Sequence, residues 1–119
     1  MAHYVDGFIV PVPKKKVREY IKMAQTAAKV WKKHGALEYY EAIADDVKKG
    51  KVTSFPRSVK RKGSETVFFS WIIYKSRADR DRILKKVMKD PAFANMDMDA
   101  MPFDGMRMIY GGFKIAVSR

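Results

Sequence analysis

The stretch Val67-Phe68-Phe69-Ser70-Trp71-Ile72-Ile73-Tyr74 limits what this chain can fold into. Read as a strand, it puts Val67, Phe69, Trp71 and Ile73 on one face and Phe68, Ser70, Ile72 and Tyr74 on the other, because side chains alternate along a strand. A strand with one wetted face alternates apolar with polar residues. This one is apolar on both sides, so both sides need cover. The rest of the chain offers two amphipathic helical patterns, enough to roof one face of a small sheet. The other face needs a second partner.

The remaining elements follow from local patterning. Tyr4 to Val12 is rich in β-formers and ends at Pro11 and Pro13. Val17, Tyr20, Ile21, Ala24, Ala28 and Trp31 then recur at helical spacing, with Arg18, Lys22, Gln25, Lys29 and Lys32 opposite. Lys32, Lys33 and His34 crowd the last turn, where cations suit the helix dipole, and Gly35 is a natural stop. Leu37 to Val47 is the second predicted strand. Residues 48–64 form a long connection with a basic tip at Lys60-Arg61-Lys62-Gly63, read in part as an extended arm. Glu65 to Lys75 is the third strand. Ser76-Arg77-Ala78-Asp79 is an acid-form capping box that opens a helix carrying Ile83, Leu84, Val87 and Met88. Asp90-Pro91 stops it. Residues 91–102, rich in Met and Asp, are expected to be irregular with one short helical turn. Met106 to Val117 is the last strand, and Gly111-Gly112 within it marks a bulge or a close backbone approach.

The order β-α-β, β-α-β within one domain, residues 1–119, predicts an α+β fold. It is a ferredoxin-like βαββαβ four-stranded antiparallel sheet with two helices on one face. Four strands about 4.8 Å apart, each of about seven residues rising about 3.3 Å, make a free face of roughly 440 Å². Monomers rarely expose apolar patches that large. A homodimer pairing sheet against sheet, a dimeric α+β barrel, resolves the excess by two-fold symmetry.

Composition narrows the chemistry. The chain has no cysteine, which removes disulfides, a thiol nucleophile and cysteine-ligated metals and fits a reducing compartment. Residues 1–7 lack a basic region followed by a long apolar core, so no signal peptide is expected, and the location expected is cytoplasmic. The net charge of +12 is the compositional outlier, concentrated on the two helices and the long loop. It offers two readings, solubilising helix faces or a polyanion-binding surface. In the second, Lys60, Arg61 and Lys62 would hold nucleic acid. That is the weaker reading, because no stacking motif accompanies the charge.

Several stretches carry a resemblance that runs almost end to end. They are Tyr4-Val5-Asp6-Gly7-Phe8, Val30-Trp31-Lys32-Lys33-His34-Gly35-Ala36-Leu37-Glu38-Tyr39 and Gly50-Lys51-Val52-Thr53-Ser54-Phe55-Pro56-Arg57. The most specific is Met101-Pro102-Phe103-Asp104-Gly105-Met106-Arg107-Met108-Ile109-Tyr110-Gly111-Gly112-Phe113. Together they resemble the YbaA-like family of small bacterial conserved proteins. That family is similar in fold to the dimeric α+β barrel superfamily, which includes antibiotic-biosynthesis-type monooxygenases, EthD-like proteins and stress-responsive barrel proteins. The resemblance implies a homodimer and supplies no activity and no catalytic residues.

Candidate sites are polar residues set in apolar strand rows, since a small-molecule pocket is mostly apolar with a few convergent polar groups. Glu41 lies in the row Leu37, Tyr39, Glu41, Ile43, and Asp6 in the row Tyr4, Asp6, Phe8, Val10. A carboxylate desolvated there would have a raised pKa and could act as a general base. His34 is the third catalytic candidate, as a proton shuttle; its competing role is to close the helix beside Gly35. Tyr39, Trp71, Arg107 and Tyr110 are the candidates for a ligand pocket, with Arg107 holding an anionic group and the aromatics stacking a flat ligand. The competing reading makes the carboxylates and Arg107 partners in ion pairs and the aromatics core. No metal site is expected: Asp97, Asp99 and Asp104 lack the glycine and terminal glutamate of a calcium loop. No cofactor is expected. The leading expectation is a homodimer that binds or oxidises a small aromatic metabolite without a cofactor. The alternatives are a basic nucleic-acid-binding module or a stress-related dimer without ligand.

Overall fold

The computed structural model of the chain describes residues 3–97 and 100–119. Four strands, β1 (Tyr4–Pro13), β2 (Glu38–Ile43), β3 (Glu65–Tyr74) and β4 (Ile109–Lys114), form one antiparallel sheet in the order β2-β3-β1-β4. Helix α1 (Val17–Lys33) joins β1 to β2, and α3 (Arg77–Lys89) follows β3. Two one-turn helices, α2 (Phe55–Ser58) and α4 (Pro91–Ala94), lie in the connections. This is the ferredoxin-like arrangement expected from the sequence.

Local chemistry explains the boundaries. Pairing of β4 with β1 stops at Ile109↔Ile9, so Pro11 and Pro13 sit where β1 has no neighbour on that side and a missing N–H costs no ladder bond. Helix α1 ends as the sequence requires. Gly35 takes φ +118°, its N–H donates to the Lys32 carbonyl at 3.2 Å, and Ala36 N–H donates to Trp31 at 3.0 Å, which is the paired bonding of a Schellman ending. Ser76 caps α3, its hydroxyl accepting from Asp79 N–H at 3.1 Å. Asp90 caps α4 through Ala92 N–H at 3.0 Å.

The helix face of the sheet carries the main core. Tyr4, Ile72 and Tyr74 pack under Ala27, Val30 and Trp31 of α1 and Ile83 and Val87 of α3. Val10, Val12 and Phe68 pack under Tyr20 and Ala24. Among the described residues no helix is long and apolar enough to cross a membrane.

Three expectations are corrected. The second strand stops at Ile43 rather than Val47, because Asp45, Asp46 and Lys48–Lys51 favour turn and solvent. The last strand begins at Ile109 and ends at Lys114, not 106–117; Asp104 accepts from Met106 N–H and Arg107 Nε and holds that approach as a turn. The long connection is not an arm. Ser54 caps α2, and Val59 is buried with Ile9 and Val67 on the side of the sheet away from α1 and α3. The helix-free face is therefore covered at one end. Gly111–Gly112 produces no bulge: the ladder is continuous, and Gly112 is where the Tyr4 ring lies against the backbone.

Candidate functional site

Alternation and register place two sets of side chains on opposite sides of the sheet. On the helix side, Glu41 of β2 stands opposite Ser70 of β3. Its two carboxylate oxygens accept from the Tyr20 hydroxyl of α1 at 2.8 Å and the Tyr39 hydroxyl at 2.9 Å. Burial pushes the Glu41 carboxyl above the usual glutamate range, and the two tyrosine hydrogen bonds pull it part of the way back. Burial, and then the Glu41 charge, pushes both tyrosine hydroxyls well up, so they stay protonated and donate. Among the described residues no cation pairs with Glu41.

Asp6, on the same side of β1, is held differently. The Tyr74 hydroxyl donates to it at 3.0 Å, Arg80 Nη1 donates at 3.0 Å, and Trp31 Nε1 donates to the Tyr74 oxygen at 3.0 Å. Burial raises the Asp6 carboxyl, opposed first by Tyr74 and then by the Arg80 charge. Arg80 also lies over the Tyr4 ring, 5.1 Å from its centroid. The cluster ties β1, β3, α1 and α3 together.

The other proposed residues lie apart from these. His34 is the residue after α1, with Nε2 2.7 Å from Asp90 Oδ2, and Lys33 Nζ donates to the same oxygen at 3.1 Å. These bonds hold the Asp90 carboxyl down at about 2, with the His34 contact the largest cause. Arg107 grips Glu65 through both Nη atoms, Asp104 through Nε, and the carbonyls of Val59 and Lys60 through Nη1. Its guanidinium is thus engaged in pinning the α2 connection to the start of β3. Tyr39 faces the helices, Trp71 faces away from them, and Tyr110 is mostly exposed at the β4 edge beside Phe8. The four residues expected to share a pocket do not share one. Asp99 lies outside the described residues. Among the described residues no group of three or more carboxylates or histidines is disposed to hold a metal.

The face away from the helices has its own order. Registered across β2, β3, β1 and β4 are the rows Glu38-Ile73-Val5-Phe113, Tyr40-Trp71-Gly7-Gly111 and Ala42-Phe69-Ile9-Ile109. Tyr40 lies 4.9 Å from Trp71 between ring centroids, Phe69 lies 5.4 Å from Trp71, and Phe55 of α2 lies 5.7 Å from Phe69. The middle row is half aromatic and half bare. Nothing stands within 4 Å of where a Gly7 side chain would begin, and only the Phe113 ring does at Gly111. A shallow recess therefore lies over Gly7 beside Trp71, with the Phe113 ring leaning over Gly111.

Sequence reasoning missed Tyr20, Tyr74, Arg80 and Glu65 as partners. Tyr20 and Tyr74 fell on visible apolar stripes, but nothing in a stripe says which hydroxyl meets which carboxylate. Gly7 could have been found: it is the glycine among the apolar residues of β1 that share its face, Val5 and Ile9.

Comparison with known proteins bears on the family and the fold. Residues 3–105 match the model of a family described as a protein of unknown function, DUF1428. The uncharacterised protein YbaA of Escherichia coli strain K12 is 50% identical over 111 residues, covering 93% of this chain and 94% of YbaA; the Shigella flexneri protein matches equally. Among solved structures, a NIPSNAP family protein of unknown function from Agrobacterium tumefaciens aligns with TM-score 0.62 at 11% identity, over 94% of this chain and 86% of that one. A dimeric ferredoxin-like protein from an uncultured marine organism aligns with TM-score 0.61 at 12% identity over the whole of both chains. At such identities the likeness speaks for fold alone. The sequence match speaks for family, and this chain belongs to the DUF1428 family together with YbaA.

Proposed function

We propose that this chain works as a cytoplasmic homodimer whose two helix-free sheet faces meet and bind a small planar aromatic molecule between them. The observation that carries the reading is the middle row of that face, Tyr40-Trp71-Gly7-Gly111. Rings of this row and of the rows on either side remain open to solvent in one protomer, with Tyr40, Phe69 and Phe113 all exposed. A second copy removes that surface from water. The glycine recess leaves room for a flat ring against backbone, walled by Trp71, in the apolar manner of small-molecule sites. The absence of cysteine fits a reducing compartment, and one solved neighbour of this fold is itself described as dimeric. Glu41 lies on the opposite side of the sheet and does not face this chamber. The reading is therefore of binding rather than of oxidation.

Sedimentation velocity at micromolar concentration, followed by thermal melting against a panel of planar aromatic metabolites, tests it. A dimer whose melting temperature rises with some of the panel, and does not rise after Gly111→Phe, supports it. A folded monomer, or a dimer that no compound stabilises, overturns it.

A further inference from the structure

The topology gathers three basic segments at one end of the sheet. Lys14–Lys16 follow the end of β1, Lys48–Lys51 lie beyond the end of β2, and Lys60–Lys62 precede the start of β3. Lys14 N–H donates to the Ser64 carbonyl at 2.9 Å, which sets the first segment against the third. Arg57 joins the second and third: its guanidinium donates to the carbonyls of Lys49 and Gly50 at 2.9–3.1 Å. A recess of about 350 Å³ opens there, lined by Lys49, Pro56, Arg57, Lys60 and Arg61.

No acidic residue occurs between Asp46 and Glu65. Glu65 and Asp104 share the single positive charge of Arg107, and Asp45 and Asp46 precede the second segment, so the excess of cations here is over a small acidic minority. Among the described residues none of the lysines in the three segments forms an ion pair. Arg61 stands in the wall of this recess. Its Nη1 donates to the Glu65 carbonyl at 2.9 Å, which fixes the guanidinium there and sets its positive charge beside the opening.

We propose that this end of the molecule binds the phosphate backbone of nucleic acid. Cations spread over three turns around a concave recess suit a chain of phosphates followed over several positions, where a lipid surface would meet a flat basic face. No base-reading side chain is implied, so the binding is independent of sequence. It uses neither the glycine recess nor the dimer contact, and it stands or falls separately from them.

Fluorescence anisotropy with labelled single-stranded RNA and duplex DNA, titrated with the full chain at increasing salt, tests it. On duplex DNA the slope of log affinity on log salt should be steep, about −0.9 for each phosphate neutralised. The triple variant Lys49→Glu, Lys60→Glu, Lys62→Glu should weaken binding more than about tenfold and flatten the slope by roughly three contacts. The control Lys85→Glu, Lys86→Glu, Lys89→Glu changes net charge equally on α3, and should leave affinity within about twofold. Equal losses in the two variants would mean attraction by net charge alone and would overturn the site. Binding to phosphatidylserine vesicles but not to either nucleic acid would overturn the choice of ligand. Circular dichroism of both variants keeps an unfolded variant from being read as a loss of binding.

Discussion

Phe113→Ser is the substitution that most directly tests how the free face is covered. Phe113 projects from β4 on the side away from the helices, in the row with Val5 and Ile73. It is 62% exposed in one protomer, so the protomer has little to lose by its removal. An aromatic side chain offers roughly 150–250 Å² for burial, which leaves roughly 120 Å² of Phe113 bare. Covering that area is worth about 3 kcal/mol at about 25 cal/mol per Å². Two-fold symmetry counts the residue twice, giving about 6 kcal/mol and a dissociation constant raised by about four powers of ten. Interfaces return less than their area, because ordering and imperfect polar contacts oppose association. A rise of about a hundredfold is therefore the smallest effect that fits the reasoning. Sedimentation velocity of wild type and variant, from nanomolar to high micromolar concentration, measures it, with circular dichroism confirming that the variant is folded. A variant that dimerises as tightly as wild type would show that the two sheets do not meet through this face.

Three further expectations concern the protomer. Gly112→Ala would drive a methyl group into the Tyr4 ring, already fixed by Arg80, and should cost about 1–3 kcal/mol in urea unfolding. Gly111→Ala meets only the Phe113 ring at 3.6 Å and should unfold like wild type; equal losses would refute the close approach. Arg107→Met leaves the buried Glu65 carboxylate without its cation and should cost about 3 kcal/mol. Hydrogen exchange should then quicken first in residues 55–62, and uniform protection there would contradict the pinning role. Glu41→Gln tests burial of the carboxyl through pH. Because its folded value is raised, the stability Glu41 contributes is complete below the ordinary glutamate value of 4.5 and is lost as pH rises through the folded value. Stability of the variant should therefore fall less than that of wild type between mildly acidic and neutral pH. Parallel curves would mean that Glu41 is solvated.

Much of the fold was legible because its signals are local or periodic. The α1 stripe, the glycine at Gly35 and the Ser76 cap each state a boundary in a few residues, and each boundary is where the sequence puts it. The two-sided apolar pattern of β3 likewise marked both of its faces for cover, and Phe68, Ile72 and Tyr74 are buried on one and Val67 on the other. What failed was decided at a distance. Nothing within residues 48–64 says that Val59 will lie against Ile9 and Val67, because that contact is made by strands whose register the segment does not encode. The same holds for Arg107. In the strand expected over 106–117 it stood as a polar residue among apolar ones, but it lies in the turn before β4, and its partners include Glu65, forty-two positions earlier, and two loop carbonyls. Charge type could be read from the sequence; charge pairing could not.

Pairing is also what separates the buried carboxylates from one another. Asp6, Glu65 and Asp90 each meet a cation from a distant element, Arg80, Arg107 and Lys33, and so act as ties between β1 and α3, between β3 and the approach to β4, and between α1 and α4. Removing either partner of the Asp6–Arg80 or Glu65–Arg107 pair would strand a shielded charge, which is costly, whereas Lys33 is exposed and would stay solvated without Asp90. Glu41 has only the hydroxyls of Tyr20 and Tyr39. Hydroxyls stabilise a carboxylate without fixing its charge, so Glu41, which is half-buried, is the one of these four acids most free to take up a proton when its surroundings change. Its place under α1 makes that proton a reporter of location. A ligand lodged over Gly7 and Gly111 is separated from Glu41 by the sheet and leaves its titration, followed by carboxyl carbon NMR, where it was. A ligand that moves the titration must have entered between β2 and α1, and the chamber would then be on the wrong side of the sheet.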